Sequence, residues 1–255
     1  MDQLIDILQI PQSCRVNKKV TKAFFKRNFE LTTAERNILD DPTQILQIDW
    51  IASVKPENSN IKAKSVDLST FEEIQIFNLF TGCASAPGKK KIAELIQKYI
   101  PYHILLCIFD DTSFVLNTCE KRINQNDSAK RTVEKFYFTN DIDFSSPSVN
   151  QKSFLASIAF AELDKQNLKT FYDSYTARII ALQTSDYTDS FNIRKYDRSK
   201  LDVQYIENII RLQTEIITLQ NQAKKENQLN IQVELNNAIQ VKRQEIITLE
   251  DFLKS

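Results

Sequence analysis

The period of the apolar positions changes along this chain, and each change marks an element. Val20, Phe24, Phe25, Phe29 and Leu31 recur between Lys18 and Asn37, with Lys18, Lys19, Lys22, Lys26 and Arg27 set apart from them. This predicts helical structure with one apolar and one basic face. Ile45 to Val54 is rich in β-branched and aromatic residues and stops at Lys55-Pro56, as a strand does. From Glu73 to Leu79 apolar and polar residues alternate, which predicts a strand with one covered and one solvated face. Gly82 to Gly88 is a small-residue loop, and Ile92, Leu95, Ile96 and Tyr99 then predict a helix over Lys89 to Tyr99. It ends before Pro101, because the residue preceding proline prefers an extended backbone.

Tyr102 to Phe109 is almost continuously apolar; Asp110-Asp111 and then Ser113 to Cys119 follow it. The pattern is that of a β-hairpin whose first strand is buried on both faces. Lys135 to Phe138 predicts another short strand beyond the polar stretch Asn124 to Arg131. The spacing is helical again from Phe154 to Leu182, and Tyr187 to Ser199 is polar and loop-like. The expected organisation is an α/β (α+β) domain with a mixed sheet at 1–145, a helical and loop linker region at 146–200, and an antiparallel helical hairpin at 201–255.

The hairpin carries the clearest signal. Ile209, Leu212, Ile216, Leu219 and Ala223 step by three and four, and Leu235, Ile239, Lys242, Ile246, Leu249 and Leu253 do the same. Between them Lys224 to Gln228 has no apolar residue, so a turn there folds one seam back on the other. Ile209, Leu212, Ile216, Leu219, Ile239, Ile246 and Leu249 are therefore candidate partner-binding residues. The competing reading is that the seams pack only on each other or on the α/β domain. Asn227, Asn230, Asn236 and Asn237, near the turn, are candidate helix caps.

Composition narrows the chemistry. Lys plus Arg equal Asp plus Glu at 33 each, so any polyanion site must be local. With glycine only at 82 and 88, neither a Walker loop nor a GxGxxG turn can be written, which argues against an ATPase, kinase or Rossmann enzyme. Cys14, Cys83, Cys107 and Cys119 form no CxxC pair, and His103 is the chain's single histidine, so no zinc set is expected. His103, at the start of the buried strand, reads as structural, and Cys107 and Cys119 as small hydrophobes. No charged leader precedes an apolar core and no apolar run approaches the roughly 20 residues that span a bilayer. A reduced, cytoplasmic protein without a membrane role is expected.

Several phrases, taken together, resemble a bacterial family known as domain of unknown function 4391. They are Ile10-Pro11-Gln12-Ser13 with Val16 to Phe24, Ile48 to Pro56, Glu73 to Phe77, Ile100 to Leu105 and Lys225 to Asn236. They occur in the family's order over nearly the full chain. The resemblance implies a shared fold and an association with helicases and DNA methyltransferases in restriction-like loci; it carries no catalytic residues. A family member often has an aromatic residue where Leu229 stands, which leaves the packing of the turn open.

Two further constellations bear on function. Asp49 on one strand, with Glu73 and Gln75 on the next, is similar to the metal-binding core of PD-(D/E)xK nucleases, where carboxylates on adjacent strands hold Mg²⁺. Gln75 stands where lysine is usual, and one expected strand is missing. Solvent-facing polar positions on half-buried strands explain Glu73 and Gln75 with no further assumption. Lys18, Lys19, Lys22, Lys26 and Arg27, with Lys89, Lys90 and Lys91 at a helix start, are candidate phosphate contacts, although a solvated face explains them too. Three cations at a helix N-terminus oppose its dipole. Phe24 and Phe25 are expected in the core rather than stacked on bases.

The sequence thus favours a non-enzymatic accessory protein without a cofactor, docking a protein partner such as a helicase or DNA methyltransferase in a DNA-processing or defence assembly. The alternatives are a divergent Mg²⁺-dependent nuclease and a DNA- or RNA-binding module using the basic face.

Overall fold

The computed structural model describes residues 2–124 and 131–255, with side chains from Leu4 onward; residues 125–130, within the polar stretch named above, lie outside the description. The chain forms two compact units, 1–179 and 180–255.

The first unit is built on a mixed sheet. Its strands are β1 (Arg15–Lys19), β2 (Gln47–Val54), β5 (Ile74–Phe80), β6 (His103–Phe109), β7 (Ser113–Ile123) and β8 (Arg131–Phe138), hydrogen-bonded in that order, with β9 (Ile142–Asp143) beside β7. Two short strands, β3 (Lys64–Val66) and β4 (Ser69–Phe71), pair separately. Only β5 and β6 run parallel, and α5 (Ala86–Tyr99) makes the crossover that a parallel pair requires. Ser85 caps α5 by accepting from the Gly88 amide, and Pro87 sits in the first turn, where its missing N–H costs nothing. Ile92, Ala93, Leu95 and Ile96 of α5 pack on Phe77, Leu79, Leu106 and Ile108, each worth about 2 kcal/mol for a large aliphatic side chain. The other helices of this unit are α1 (Asp2–Leu8), α2 (Lys22–Asn28), α3 (Thr33–Asp40), α4 (Pro56–Ser59), α6 (Val149–Ser157) and the first part of α7 (Leu168–Thr188).

Lys18 to Asn37 is not one helical stretch. Lys18 and Lys19 lie on β1, paired with Trp50 and Asp49, and two threonines then each start a helix. Thr21 accepts from the Phe24 amide to begin α2, and Thr32 forms a reciprocal capping box with Glu35 to begin α3. Phe25 enters the core as expected, but Phe24 remains 43% exposed.

The polar positions of the Glu73 to Leu79 strand are buried, not solvated, with Glu73 and Gln75 on one face and Asn78 on the other. Glu73, Gln75 and Asn78 are all nearly inaccessible. Burial is tolerated because Glu73 accepts from Ser53 Oγ (2.6 Å) and Gln75 Nε2 (2.8 Å) and pairs with Lys55 (3.2 Å).

Lys89 is also buried. Its ammonium sits between Asp110 (2.7 Å) and Asp141 and donates to Ser113 Oγ (3.3 Å), so the helix-start cation is neutralised by two carboxylates. Burial alone would raise the Asp110 pKa; hydrogen bonds from Lys89, Ser113 and two backbone amides outweigh it and hold the carboxyl well below its usual range.

At the middle of the sheet β6 and β7 pair only from Leu106–Asn117 to Phe109–Phe114, after which β7 follows β8. Buried side chains take over where the two strands part. Gln97 donates to the Ile104 carbonyl (3.2 Å) and to Asn117 Oδ1 (2.9 Å), Tyr172 of α7 accepts from the Cys119 amide (2.9 Å), and Lys121 donates to the carbonyls of Ile100 (2.8 Å) and Tyr102 (2.7 Å).

The second unit contains the rest of α7, α8 (Tyr196–Lys225) and α9 (Leu229–Lys254). Residues 189–195 form the loop, shorter than the polar stretch predicted. No asparagine caps α9; Glu226 instead accepts from the amides of Asn227 (2.7 Å) and Gln228 (2.8 Å). Leu229 opens α9 at 74% exposed.

Removing the Lys89 cation leaves Asp110 buried without its counter-charge. Lys89→Ala is expected to cost about 3 kcal/mol in urea unfolding, against less than about 0.5 kcal/mol for the exposed neighbour Lys90→Ala.

Candidate functional site

Register decides whether the three polar strand residues form a site. Asp49 pairs with Asn78, and Gln75 pairs with Ser53. Side chains alternate along β5, so Glu73 and Gln75 share the face of Phe77, whereas Asn78 and its partner Asp49 share the other. Asn78 is also three residues, roughly 10 Å, from Gln75 along the strand. The structure therefore does not bring Asp49 together with Glu73. Asp49 Oδ2 accepts from Gln47 Nε2 (2.5 Å), while its buried Oδ1 has no partner among the described residues. Among the described residues no group of three His, Cys, Asp or Glu side chains is placed to hold a metal ion.

The basic residues separate as well. Lys22 donates to the Asp41 carbonyl and Lys26 pairs with Asp40, while Lys18, Lys19 and Arg27 stay exposed. Lys89 is consumed inside, and the exposed Lys90 and Lys91 stand near the start of α5, about 13 Å along the helix from Tyr99. At the end marked by Tyr99 a cleft of about 430 Å³ opens, walled by Phe24, Phe29, Trp50, Phe77 and Tyr102, with Gln75 in its lining and Lys19 at its rim. Trp50 and Phe77 lie nearly parallel (8°, centroids 6.2 Å apart). A second cavity, about 640 Å³, shares Phe29 and Pro101 with the first and is lined by Lys98 and Arg131. The cleft escaped sequence reading because its walls come from four separate segments.

His103 is buried, stacked on Phe71 (4.0 Å between centroids) and edge-on to Tyr172. Burial first, then the positive charges of Lys121, Arg131 and Lys169, lowers its pKa to about 3. It is a neutral core residue. All four cysteines are free thiols. Burial pushes Cys107 far up and Cys119 to about 11, which leaves both inert.

In the second unit the seams face each other. Ile209, Leu212, Ile216 and Ile239 are buried, and Leu219, Ile246 and Leu249 half-buried, so these candidate partner contacts are occupied by the hairpin's own packing. Lys242, the polar member of the second seam, pairs with Glu215 across the turn. At the open end Arg194 donates to Asp202 (3.0 Å) and to the Leu253 carbonyl (2.6 Å), and Arg198 donates to the Phe252 carbonyl (2.5 Å). Both cations sit at the C-terminus of α9, where the helix dipole favours them.

A second apolar row lies outside the seam. Ile210, Ile217, Val233 and Ile247 are 51%, 58%, 51% and 49% exposed. With the seam residues at heptad positions a and d, all four fall at b, which in an antiparallel pair lies on one flank. The Lys242–Glu215 pair and the stacking of Tyr205 on Phe252 (5.6 Å) set the register and bring Ile210 level with Ile247. The c and g residues Asn208, Arg211, Glu245 and Thr248 line a shallow groove on the other flank. The signal for the row was present in the doublets Ile209-Ile210, Ile216-Ile217 and Ile246-Ile247, each with one member in the seam and one outside it.

These features define an α/β protein with a mixed sheet and a C-terminal helical hairpin. The family model described as Domain of unknown function (DUF4391) matches residues 8–246 of the 255, and the chain belongs to that family. No curated protein and no solved structure matches it significantly. Among the described residues no helix is long and apolar enough to cross a membrane.

The single imidazole gives a direct check. Its ¹H NMR resonance is expected not to titrate between pH 8 and pH 5. Because the folded pKa lies below the unfolded value of about 6.5, the stability tied to His103 is complete above that pH and declines as pH falls toward about 3. His103→Phe should flatten this decline in urea midpoints measured between those limits.

Proposed function

We propose that the protein is a non-enzymatic accessory factor that docks a protein partner through the outer row of its helical hairpin, within a bacterial DNA-processing or restriction-type defence assembly in the cytoplasm. The observation that carries this reading is the row itself. The hairpin already satisfies its seam, so Ile210, Ile217, Val233 and Ile247 add nothing to its internal packing and leave apolar surface in water. Ile210 and Ile217 are spaced i, i+7 on α8, and Val233 and Ile247 lie on the same flank of α9 with Gln240 between them; apolar residues repeating on one flank are the form in which a helical surface receives another helix. The partner class, a helicase or DNA methyltransferase, follows from what membership of the family implies about neighbouring genes.

The absence of a glycine-rich phosphate loop supports dependence on a partner for any nucleotide-driven step. The separation of Asp49 from Glu73 favours the accessory reading over the nuclease alternative.

The test is affinity purification of the tagged protein from its native cell, comparing wild type with the double variant Ile210→Glu/Ile247→Glu. The variant should keep its helical circular dichroism and thermal midpoint while the yield of co-purifying helicase or methyltransferase falls about tenfold or more. Ile209→Glu, which puts a charge into the seam, should instead unfold the hairpin. Undiminished partner recovery with the folded double variant refutes docking through this row.

A further inference from the structure

The cleft of the first unit combines three properties that no part of its fold requires together. Its mouth keeps two large rings in water, Phe24 at 43% and Tyr102 at 39% exposed. Its wall is a flat stack, Trp50 on Phe77, and the Trp50 indole N–H is already donated to the Ala52 carbonyl (2.9 Å), so the ring offers a face and no donor. Its interior holds a buried carboxamide. Gln75 gives one N–H to Glu73, whose carboxylate is in turn fixed by Ser53 and Lys55, and this sets the orientation of the amide. The second N–H and the carbonyl oxygen of Gln75 have no partner among the described residues.

We infer that this cleft binds an unpaired nucleobase of a single-stranded nucleic acid, adenine in preference to thymine or uracil, with the backbone phosphates running past Lys18 and Lys19. A base is flat and has a polar edge, and the cleft offers rings for its faces and a fixed donor–acceptor pair for that edge. A glutamine amide complements the amino donor and adjacent ring-nitrogen acceptor of adenine. An apolar peptide side chain fills the same volume but leaves the buried amide without partners. The volume of about 430 Å³ lies within the range of small-ligand sites. Charge agrees: Lys19 lines the rim, Lys18 is its neighbour on the edge strand, and neither side chain has an ion-pair partner among the described residues. Glu73 acts as a positioning residue through Gln75. This inference is independent of docking through the hairpin.

The chain contains one tryptophan, and it is Trp50, so its fluorescence reports on the cleft alone. The full-length protein is titrated with short oligo(dA), oligo(dT) and oligo(rA), following Trp50 emission and the anisotropy of the labelled oligonucleotide in parallel. The expected result is saturable quenching by the adenine oligomers and weaker binding of oligo(dT), with affinity falling as salt rises. The tighter of oligo(dA) and oligo(rA) identifies the sugar. Phe24→Ala/Tyr102→Ala, which removes the two rings at the mouth, should weaken binding by about tenfold or more with the circular dichroism unchanged. Gln75→Leu should abolish the preference for adenine while binding persists, and Lys18→Ala/Lys19→Ala should lower the salt slope by about 1.4. Binding seen by anisotropy without Trp50 quenching, an adenine preference unchanged in Gln75→Leu, or no binding of any oligonucleotide at low salt each overturns the inference.

Discussion

Much of the first unit depends on how the sheet manages the parting of β6 and β7. The two strands share only four residue pairs before β7 turns to β8. Each backbone group orphaned by such a split costs about 1–3 kcal/mol if left unpaired in the interior. The protein fills the gap with Gln97 from α5, Asn117 from β7, Tyr172 from α7 and the fully buried Lys121. Lys121 is the unusual member, a cation with no carboxylate partner among the described residues, its pKa lowered to about 8 by burial. It is held by two carbonyls, those of Ile100 and Tyr102, on either side of Pro101. The same segment supplies one wall of the aromatic cleft. The repair of a sheet defect and the shape of the cleft are therefore one piece of construction.

The pleat of the sheet governs the rest of the polar chemistry. A β-bulge between Trp50 and Ala52 shifts the pairing of β2 with β5, and the outcome is that Asp49 and Glu73 project to opposite faces. Glu73 becomes a tether for Gln75 rather than a metal ligand. On the cleft side aromatic rings and one amide are brought together; on the other side Asp49 is left with a single donor, Gln47.

What could be read from the residues followed the strength of their periodicity. The seams of α8 and α9, the hairpin of β6 with β7 and the strand β2 were legible because burial imposes a period on many consecutive positions. The seven residues of β6 are all buried, as their unbroken apolar run predicts. Lys89 was misread because its two carboxylates lie 21 and 52 residues away in the chain, and no local pattern announces them. Lys18 and Lys19 were assigned to a helix although Thr21 and Thr32-x-x-Glu35 marked two later starts. The polar side of β5 looked solvated because alternation reports that two faces differ, not that one is wet. The cleft was not legible: Phe24, Trp50, Gln75 and Tyr102 meet only through the order of the strands.

The two proposals assign the units different tasks, ligand binding to the first and partner docking to the second. In the hairpin, the inner seam is closed by its own packing and the outer row is left exposed. Hydrogen–deuterium exchange of the purified protein, alone and with any helicase or DNA methyltransferase that the affinity purification recovers, tests the proposed docking most directly. Slowed exchange in the complex along Ile210 to Ile217 and Val233 to Ile247 is the predicted result. Exchange unchanged along both segments in a stable complex would contradict it.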